Sequence, residues 1–303
     1  MSAPRPPAEL PSPFDADFVR TLEYLSLVAR RVLAGQERAE HRTHRRGGMI
    51  EFSDYRSYSL GDDLKYVDWN VYARSGHLFV KEFAAEENVH LLLLVDRSRS
   101  MDYGTVSKFL YARRLAAVLA YIGLSHYDAT SVLAFDRTLL PLQLKMRGRR
   151  RIFELLRALA ALETAGETSL VDALSGAFPA FSGKTLAVVL SDFYDPAGLE
   201  RALLRLRSRN VRPYAIHVVD PLEVSPGASG RIEFRDAETG EREVLTVDEA
   251  TLVRYGQAMA RHLERVERFC LRSEVGYSRL LTTTSLERAV VELLRSGQLI
   301  RAK

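Results

Sequence analysis

The sequence predicts an α/β protein in which a mainly parallel sheet is covered by helices on both faces. From residue 89 onward, short continuous apolar runs alternate with segments whose apolar residues recur every three or four positions. This is the pattern of buried parallel strands connected by helices. Nearly half of the 303 residues are hydrophobic (47%), so the chain can build one medium-sized domain with an elaboration.

The predicted elements alternate along the chain. Strands are predicted at 89–95, 128–135, 139–144, 185–190, 214–219 and 277–281. Helices are predicted at 107–124, 150–162, 169–181, 196–207, 249–273 and 285–294. Continuous apolar runs place most strands inside the sheet, and a proline at the start of the fourth helix, Pro196, suits a first helical position.

A β-hairpin interrupts this alternation. Two short strand-like segments, 231–234 and 243–246, flank the turn-forming stretch Asp-Ala-Glu-Thr-Gly at 236–240. We therefore expect an insertion at about 222–248 within a domain that spans 86–303.

The N-terminal third differs from this core. Residues 1–13 are rich in proline and are predicted to be a disordered tail. Helical spacing of apolar residues predicts an amphipathic helix at 14–34, and the segment 14–85 is expected to pack on the core as an N-terminal helical and irregular extension.

Acids and arginines are paired at short range between residues 51 and 74. We interpret them as a structural polar network that fixes an irregular segment; its members are Asp54, Arg56, Asp62, Asp63, Asp68, Trp69 and Arg74. An enzyme site that uses Asp62, Asp63 and Asp68 is the alternative. The structural interpretation is favoured because no nucleophile or oriented general base stands at a recognisable spacing.

Composition and charge bear on the possible partners and on the cellular location of the protein. The net charge of +4 is too mild to indicate nucleic acid as the main partner. The single cysteine, Cys270, fits a reducing compartment, and its helical spacing predicts a buried, inert thiol. The N-terminus lacks a secretion signal and the longest apolar stretch, 115–124, is too short to span a bilayer. A cytoplasmic protein without membrane segments is expected.

Oxygen-bearing side chains collect where predicted strands and loops end. Asp96, Ser98 and Ser100 follow the first buried strand, Thr168 precedes a helix, and Asp192 ends another strand. Ligands of open parallel sheets bind at the carboxyl ends of the strands, so we expect these residues to converge. Two carboxylates and three hydroxyls are hard donors that suit magnesium, with manganese possible.

Three charged residues are predicted to line the rim of this site. Arg97 and Arg99 alternate with the ligands and should point away from them, with Asp195 nearby. One hypothesis is that the arginines steer an acidic partner towards the metal. The alternative is that each pairs with a neighbouring acid such as Asp102 or Asp195.

The ligand pattern D-x-S-x-S, then Thr, then Asp resembles the metal-ion-dependent adhesion site of von Willebrand factor A domains. The stretch 51–74, E-F-S-D-Y-R-x-Y-x-x-G-D-D-x-x-x-x-D-W-N-x-x-A-R, is similar to the signature of the domain-of-unknown-function 58 (DUF58) family, bacterial proteins with a von Willebrand A core. The resemblance implies a protein-docking site in which an Asp or Glu of the partner completes the coordination of the metal cation. It also implies a partner, because genes of this family commonly lie beside those of MoxR-type AAA+ ATPases.

The leading hypothesis is therefore a non-enzymatic, metal-dependent adaptor that works with a MoxR-type ATPase and an acidic client in protein maturation or complex assembly. The alternative is a magnesium-dependent phosphohydrolase on a similar sheet. That chemistry needs a second Asp two residues after the nucleophile, where Ser98 stands, and no phosphate-cradling Gly-rich loop is present. Nucleic-acid binding through the basic cluster at 145–151 is disfavoured by the near-neutral charge and the lack of interleaved aromatic residues.

Overall fold

The computed structural model describes residues 14–43, 52–83, 89–126, 129–175, 178, 184–227 and 229–295. The chain divides into two compact units, with boundaries at residues 34/35 and 87/88. The tail predicted at 1–13 lies outside the described residues. In the part of the chain that is described, no helix is long and apolar enough to cross a membrane.

The smaller unit contains two strands and one short helix, and the larger unit contains the remaining elements; the first helix runs from one into the other. The elements are α1 Ala16–Thr43, β1 Phe52–Ser57, α2 Trp69–Ser75, β2 Phe79–Phe83, β3 Val89–Asp96, α3 Lys108–His126, β4 Ala129–Phe135, β5 Leu139–Met146, α4 Ile152–Ala160, α5 Leu170–Ser175, β6 Lys184–Ser191, α6 Pro196–Ser208, β7 Val211–Val219, α7 Pro221–Val224, β8 Gly230–Arg235, β9 Arg242–Val247, α8 Glu249–Arg272, β10 Gly276–Leu281 and α9 Leu286–Arg295.

The core is a six-stranded sheet with the order β10-β7-β6-β3-β4-β5. All neighbouring strands are parallel except β5, which pairs antiparallel with β4 across a tight turn. The predicted mainly parallel α/β fold is confirmed. Strand β3 lies inside the sheet between β4 and β6, and all eight of its residues are buried, which explains why its sequence is continuously apolar.

Helices cover both faces of the sheet. Alternate residues of β3 belong to different core clusters: Leu91 and Leu93 pack with α1, α3, α4 and α9, whereas Leu92 and Leu94 pack with α5, α6 and α8. The buried stripe of α1 includes Phe18, Leu22, Leu25 and Ala29, and Phe14, just before the helix, is buried in the same cluster. Cys270 is buried on α8, and burial raises the pKa of its thiol to about 12, in keeping with an inert cysteine.

The predicted hairpin is present as β8 and β9, paired antiparallel from Gly230 and Val247 to Arg235 and Arg242. Within the range predicted as a helix at 169–181, the structure has α5 at Leu170–Ser175. Residues 176–177 and 179–181 of that range lie outside the described residues. Residues 52–83 are more regular than predicted, since β1 pairs antiparallel with β2.

The smaller unit contains the predicted polar network. Asp68 caps α2 by accepting hydrogen bonds from the backbone amides of Asn70 and Val71 (2.9 and 3.2 Å), and Tyr55 Oη donates to its other oxygen at 2.8 Å. Arg56 pairs with Asp62 at 2.9 Å. These contacts give the unit helix caps and turns, which is a structural role.

The other predicted members of that network lie within the same unit. Asp63 caps the 3-10 turn Leu64–Tyr66, and Asp54 is a residue of β1 opposite Glu82. Trp69 begins α2 and meets Tyr72 edge to face, with ring centroids 6.2 Å apart. Arg74 lies in the last turn of α2, where a positive charge complements the helix dipole.

Candidate metal-binding site

Asp96 is the last residue of β3 and lies at the carboxyl edge of the sheet. Its side chain is fully buried. Oδ1 accepts a hydrogen bond from the backbone amide of Ser98 at 2.9 Å, and Oδ2 accepts one from Ser191 Oγ at 2.5 Å. Both donors are neutral, so these bonds orient the carboxylate without balancing its charge.

Ser98 and Ser100 follow in a turn of 3-10 helix at Arg99–Met101. Their hydroxyl groups are hydrogen-bonded to each other, with the two oxygens 3.0 Å apart. Magnesium holds oxygen ligands at about 2.0–2.1 Å in an octahedron, so two ligands at adjacent corners stand about 3 Å apart, as these hydroxyls do. No group of three or more His, Cys, Asp and Glu side chains suited to a metal occurs among the described residues, and a cation here would depend on hydroxyl ligands.

The loop that carries Thr168 lies beside the loop that carries Ser98 and Ser100. The backbone amide of Arg99 donates to the carbonyl of Gly166 at 3.2 Å, and the amide of Ala165 donates to the carbonyl of Arg97 at 2.7 Å. Thr168 also lines a small pocket with Ser191 and Asp195. Thr168 comes just before α5, so its position at the sheet edge follows from the strand-loop-helix order.

Asp192 follows β6, the strand next to β3, and only 1% of it is exposed. Its Oδ2 accepts a hydrogen bond from Lys108 Nζ at 2.7 Å, and the same ammonium donates to Glu223 Oε1 at 2.5 Å. Burial by itself would lower the pKa of Lys108, but the charges of Asp192 and Glu223 outweigh it and the pKa is raised. Lys108 is therefore a buried cation bound between two carboxylates.

The two predicted acidic ligands influence each other. Burial, and after it the charge of Asp192, raises the pKa of Asp96 well above its ordinary value; the hydrogen bonds from Ser191 and Ser98 oppose this shift. A divalent cation between the two carboxylates would favour the ionised form of Asp96. The donor chemistry and the raised pKa of Asp96 fit a hard cation, whereas Oδ2 of Asp192 already binds the ammonium of Lys108.

The residues predicted at the rim have different partners. Arg97 binds Asp136 through Nε and Nη2, at 3.0 and 2.5 Å, so it pairs with an acid, but with neither Asp102 nor Asp195. Asp195 caps α6 by accepting a hydrogen bond from the Gly198 amide at 2.8 Å. Arg99 is exposed, and among the three it is the cation that faces solvent.

Several residues at this edge were missed by sequence reasoning. They are Lys108, Asp136, Ser191, Glu223 and Glu238. A signal existed for Lys108, because a lysine at the first residue of an apolar helix opposes the helix dipole and calls for a nearby acid. Ser191 could have been suspected because it precedes Asp192. Nothing in the local sequence distinguishes Glu223 or Glu238 from the other acids of the chain.

A family model described as "Protein of unknown function DUF58" matches residues 54–265, which is most of the chain. The chain belongs to the DUF58 family. Similar proteins include "Uncharacterized protein Mb1516" of Mycobacterium bovis and "Uncharacterized protein Rv1480" of Mycobacterium tuberculosis. Each is 28% identical to this DUF58 chain over 259 residues, which cover 84% of this chain and 81% of the relative.

Similar solved structures include the conserved hypothetical protein BatB from Bacteroides thetaiotaomicron, which is 13% identical with a TM-score of 0.44. The match covers 70% of this DUF58 chain and 99% of that chain. An aerotolerance-related membrane protein from Bacteroides fragilis is 16% identical with a TM-score of 0.42, covering 69% and 99% of the two chains.

Proposed function

We propose that this DUF58 protein is a non-enzymatic, metal-dependent adaptor that binds an acidic group of a partner protein through a divalent cation. Magnesium is the proposed ion, with manganese possible, and the ligands, direct or through water, are Asp96, Ser98, Ser100, Thr168 and Asp192. One observation supports this most: two buried carboxylates lie at the ends of adjacent strands and interact electrostatically, and one of them, Asp96, is hydrogen-bonded to the turn that carries the Ser98 and Ser100 hydroxyls.

The charge of the ligands suits this role. Only two of the five proposed ligands are anionic, and one of them, Asp192, already forms an ion pair with Lys108. A bound magnesium would keep much of its positive charge and would favour a carboxylate as a further ligand. Exposed Arg99 adds a positive charge at the rim, which would speed the approach of an acidic protein.

The partners are part of the proposal. Family resemblance supports a MoxR-type AAA+ ATPase together with an acidic client protein, acting in the cytoplasm in protein maturation or complex assembly. No observation favours the phosphohydrolase alternative. Ser98 stands where that chemistry needs a second carboxylate, and both oxygens of Asp96 accept hydrogen bonds within the fold.

The first test is thermal unfolding in excess magnesium and in chelator, for the wild type, Asp96→Ala and the control Asp172→Ala. A ligand at about 100 times its Kd adds about 2.7 kcal/mol to folded-state stability, which is a rise of a few degrees in Tm. We expect this rise in the wild type and in the control, whose exposed Asp172 lies at the same edge. An equal rise in Asp96→Ala, or none in the wild type, would contradict the proposed site.

The partner is tested separately. We expect a purified MoxR-type ATPase from the same organism to bind the wild type in magnesium and to be released by chelator. Binding that is unchanged by chelator or by Asp96→Ala would show that the metal site is not the docking point.

A further inference from the structure

The tip of the inserted hairpin reaches the candidate metal site. Glu238 Oε1 accepts hydrogen bonds from Thr168 N at 3.1 Å and from Thr168 Oγ1 at 3.0 Å. Arg99 Nη1 donates to the carbonyl oxygen of Glu238 at 3.4 Å. A carboxylate of this chain is therefore bound to one proposed metal ligand, next to the turn that holds two others.

The stem of the hairpin is mostly in contact with solvent. Five of the six residues of β8 and five of the six residues of β9 are exposed. Its exposed apolar residues include Phe234, Val244 and Leu245. Burial of apolar surface therefore contributes little to holding the hairpin in place. The position of the hairpin depends instead on the contacts of Glu238 at its tip.

The tip itself is well ordered by local hydrogen bonds. Asp236 Oδ1 accepts from the backbone amides of Glu238 and Thr239, at 2.8 and 2.7 Å, and these bonds hold the pKa of Asp236 below its ordinary value. Gly240 closes the turn with φ at +78°, a conformation that favours glycine. The turn thus presents Glu238 in a fixed position, which lowers the entropic cost of docking it.

We propose that Glu238 is an internal ligand of the metal site, standing where a partner's carboxylate would bind. This inference rests on the adaptor function proposed above and specifies how it is regulated. A partner must displace the hairpin tip, and its own ligand should be a glutamate or aspartate presented on a similarly tight turn. Because the hairpin is tethered, Glu238 competes at an effective concentration in the millimolar range.

A purely structural role for Glu238 leads to a different prediction. If Glu238 only holds the hairpin on the body, its docking does not respond to the metal. If Glu238 is a ligand of the site, metal binding and hairpin docking stabilise each other, because coupling between two bound groups is reciprocal.

Hydrogen exchange in magnesium and in chelator separates these cases. The proteins are the wild type, Glu238→Gln, Asp96→Ala and the control Glu233→Gln, which removes the same charge from an exposed ion pair with Arg242 on the same hairpin. We expect magnesium to slow exchange at residues 236–241 by about fivefold or more in the wild type and the control. The effect should be absent in Glu238→Gln and Asp96→Ala.

A peptide probe tests the vacated site directly. A cyclised, fluorescent peptide with the sequence of residues 234–243 should bind Glu238→Gln in magnesium at least about tenfold more tightly than it binds the wild type or Glu233→Gln. The same peptide with glutamine in place of the glutamate that corresponds to Glu238 should not bind.

The outcomes distinguish this inference from the function on which it rests. Metal-dependent protection of the tip, together with selective peptide binding to Glu238→Gln, supports the internal ligand. If magnesium raises the Tm of the wild type but leaves exchange at the tip unchanged, the internal ligand is overturned and the adaptor function stands. If magnesium stabilises no variant, the metal site fails and the internal ligand fails with it.

Discussion

Asp96 and Asp192 stand at the ends of neighbouring strands and are equally buried, at 0% and 1% exposed, yet their partners differ in charge. Asp96 accepts hydrogen bonds from a backbone amide and a serine hydroxyl. Asp192 binds the ammonium of Lys108, which also binds Glu223. Among the residues that the structure describes, Asp192 therefore has a cationic partner, whereas Asp96 has neutral donors only.

This difference explains how the two acids can be buried together in the absence of a bound ion. Two buried carboxylates without any positive charge would be costly, because removal from water disfavours the ionised form of each. Lys108 supplies that charge on the Asp192 side. Among the described residues Asp96 has no cationic partner, and a divalent cation at the proposed metal site would supply one.

Replacement of Lys108 by methionine should give the largest effect. The change leaves Asp192 and Glu223 buried without their cation, and removal of one partner from a buried ion pair typically costs about 3–5 kcal/mol. Urea unfolding in chelator measures the loss. Lys65→Met is the control, since Lys65 pairs with Asp63 while 63% exposed. A loss of less than about 1 kcal/mol in the free energy of unfolding of Lys108→Met would show that Asp192 and Glu223 do not depend on the charge of Lys108.

Replacement of Asp96 by asparagine should instead stabilise the folded protein when chelator removes magnesium. The amide keeps an acceptor for the Ser98 amide, and its nitrogen can donate to Ser191 Oγ. Because the folded-state pKa of Asp96 is raised, its carboxyl contributes most to stability at low pH and loses that contribution as the pH rises through the folded-state pKa.

We therefore expect Asp96→Asn to be more stable than the wild type by about 1 kcal/mol or more at pH 8 without metal, since each unit of pKa shift corresponds to about 1.4 kcal/mol, and to gain nothing from magnesium. Unfolding curves at pH 5 and pH 8, each in chelator and in magnesium, check both points. A variant that is less stable than the wild type at pH 8 would show that the charge of Asp96 is already compensated within the fold.

An exposed ion pair at the same edge should matter least. Arg137 is 61% exposed and contacts Asp172 at 3.0 Å and Glu167 at 3.5 Å. Solvent screens such pairs, so Arg137→Ala should cost less than about 1 kcal/mol. If thermal unfolding showed a loss as large as that of Lys108→Met, proximity of charges rather than burial would explain the cost of breaking them.

The sequence by itself determined the parallel sheet, the order of its helices and the edge at which polar residues collect. Hydrophobic periodicity is a local property, and parallel strands place their carboxyl ends together, so Asp96, Ser98, Ser100 and Asp192 could be assigned to one edge. It missed the pairing of β1 with β2, because their sequences, Phe-Ser-Asp-Tyr-Arg-Ser and Phe-Val-Lys-Glu-Phe, lack a clear apolar alternation.

Only the tertiary structure decided the charges around the site. Lys108 meets Asp192 across 84 positions and Glu223 across 115, and Glu238 meets Thr168 across 70. Such contacts depend on how helices cross over the sheet and on where an insertion folds back, which no local pattern encodes. The sequence therefore determines which side chains can reach the edge, and the packing of distant segments determines which of their charges are balanced there.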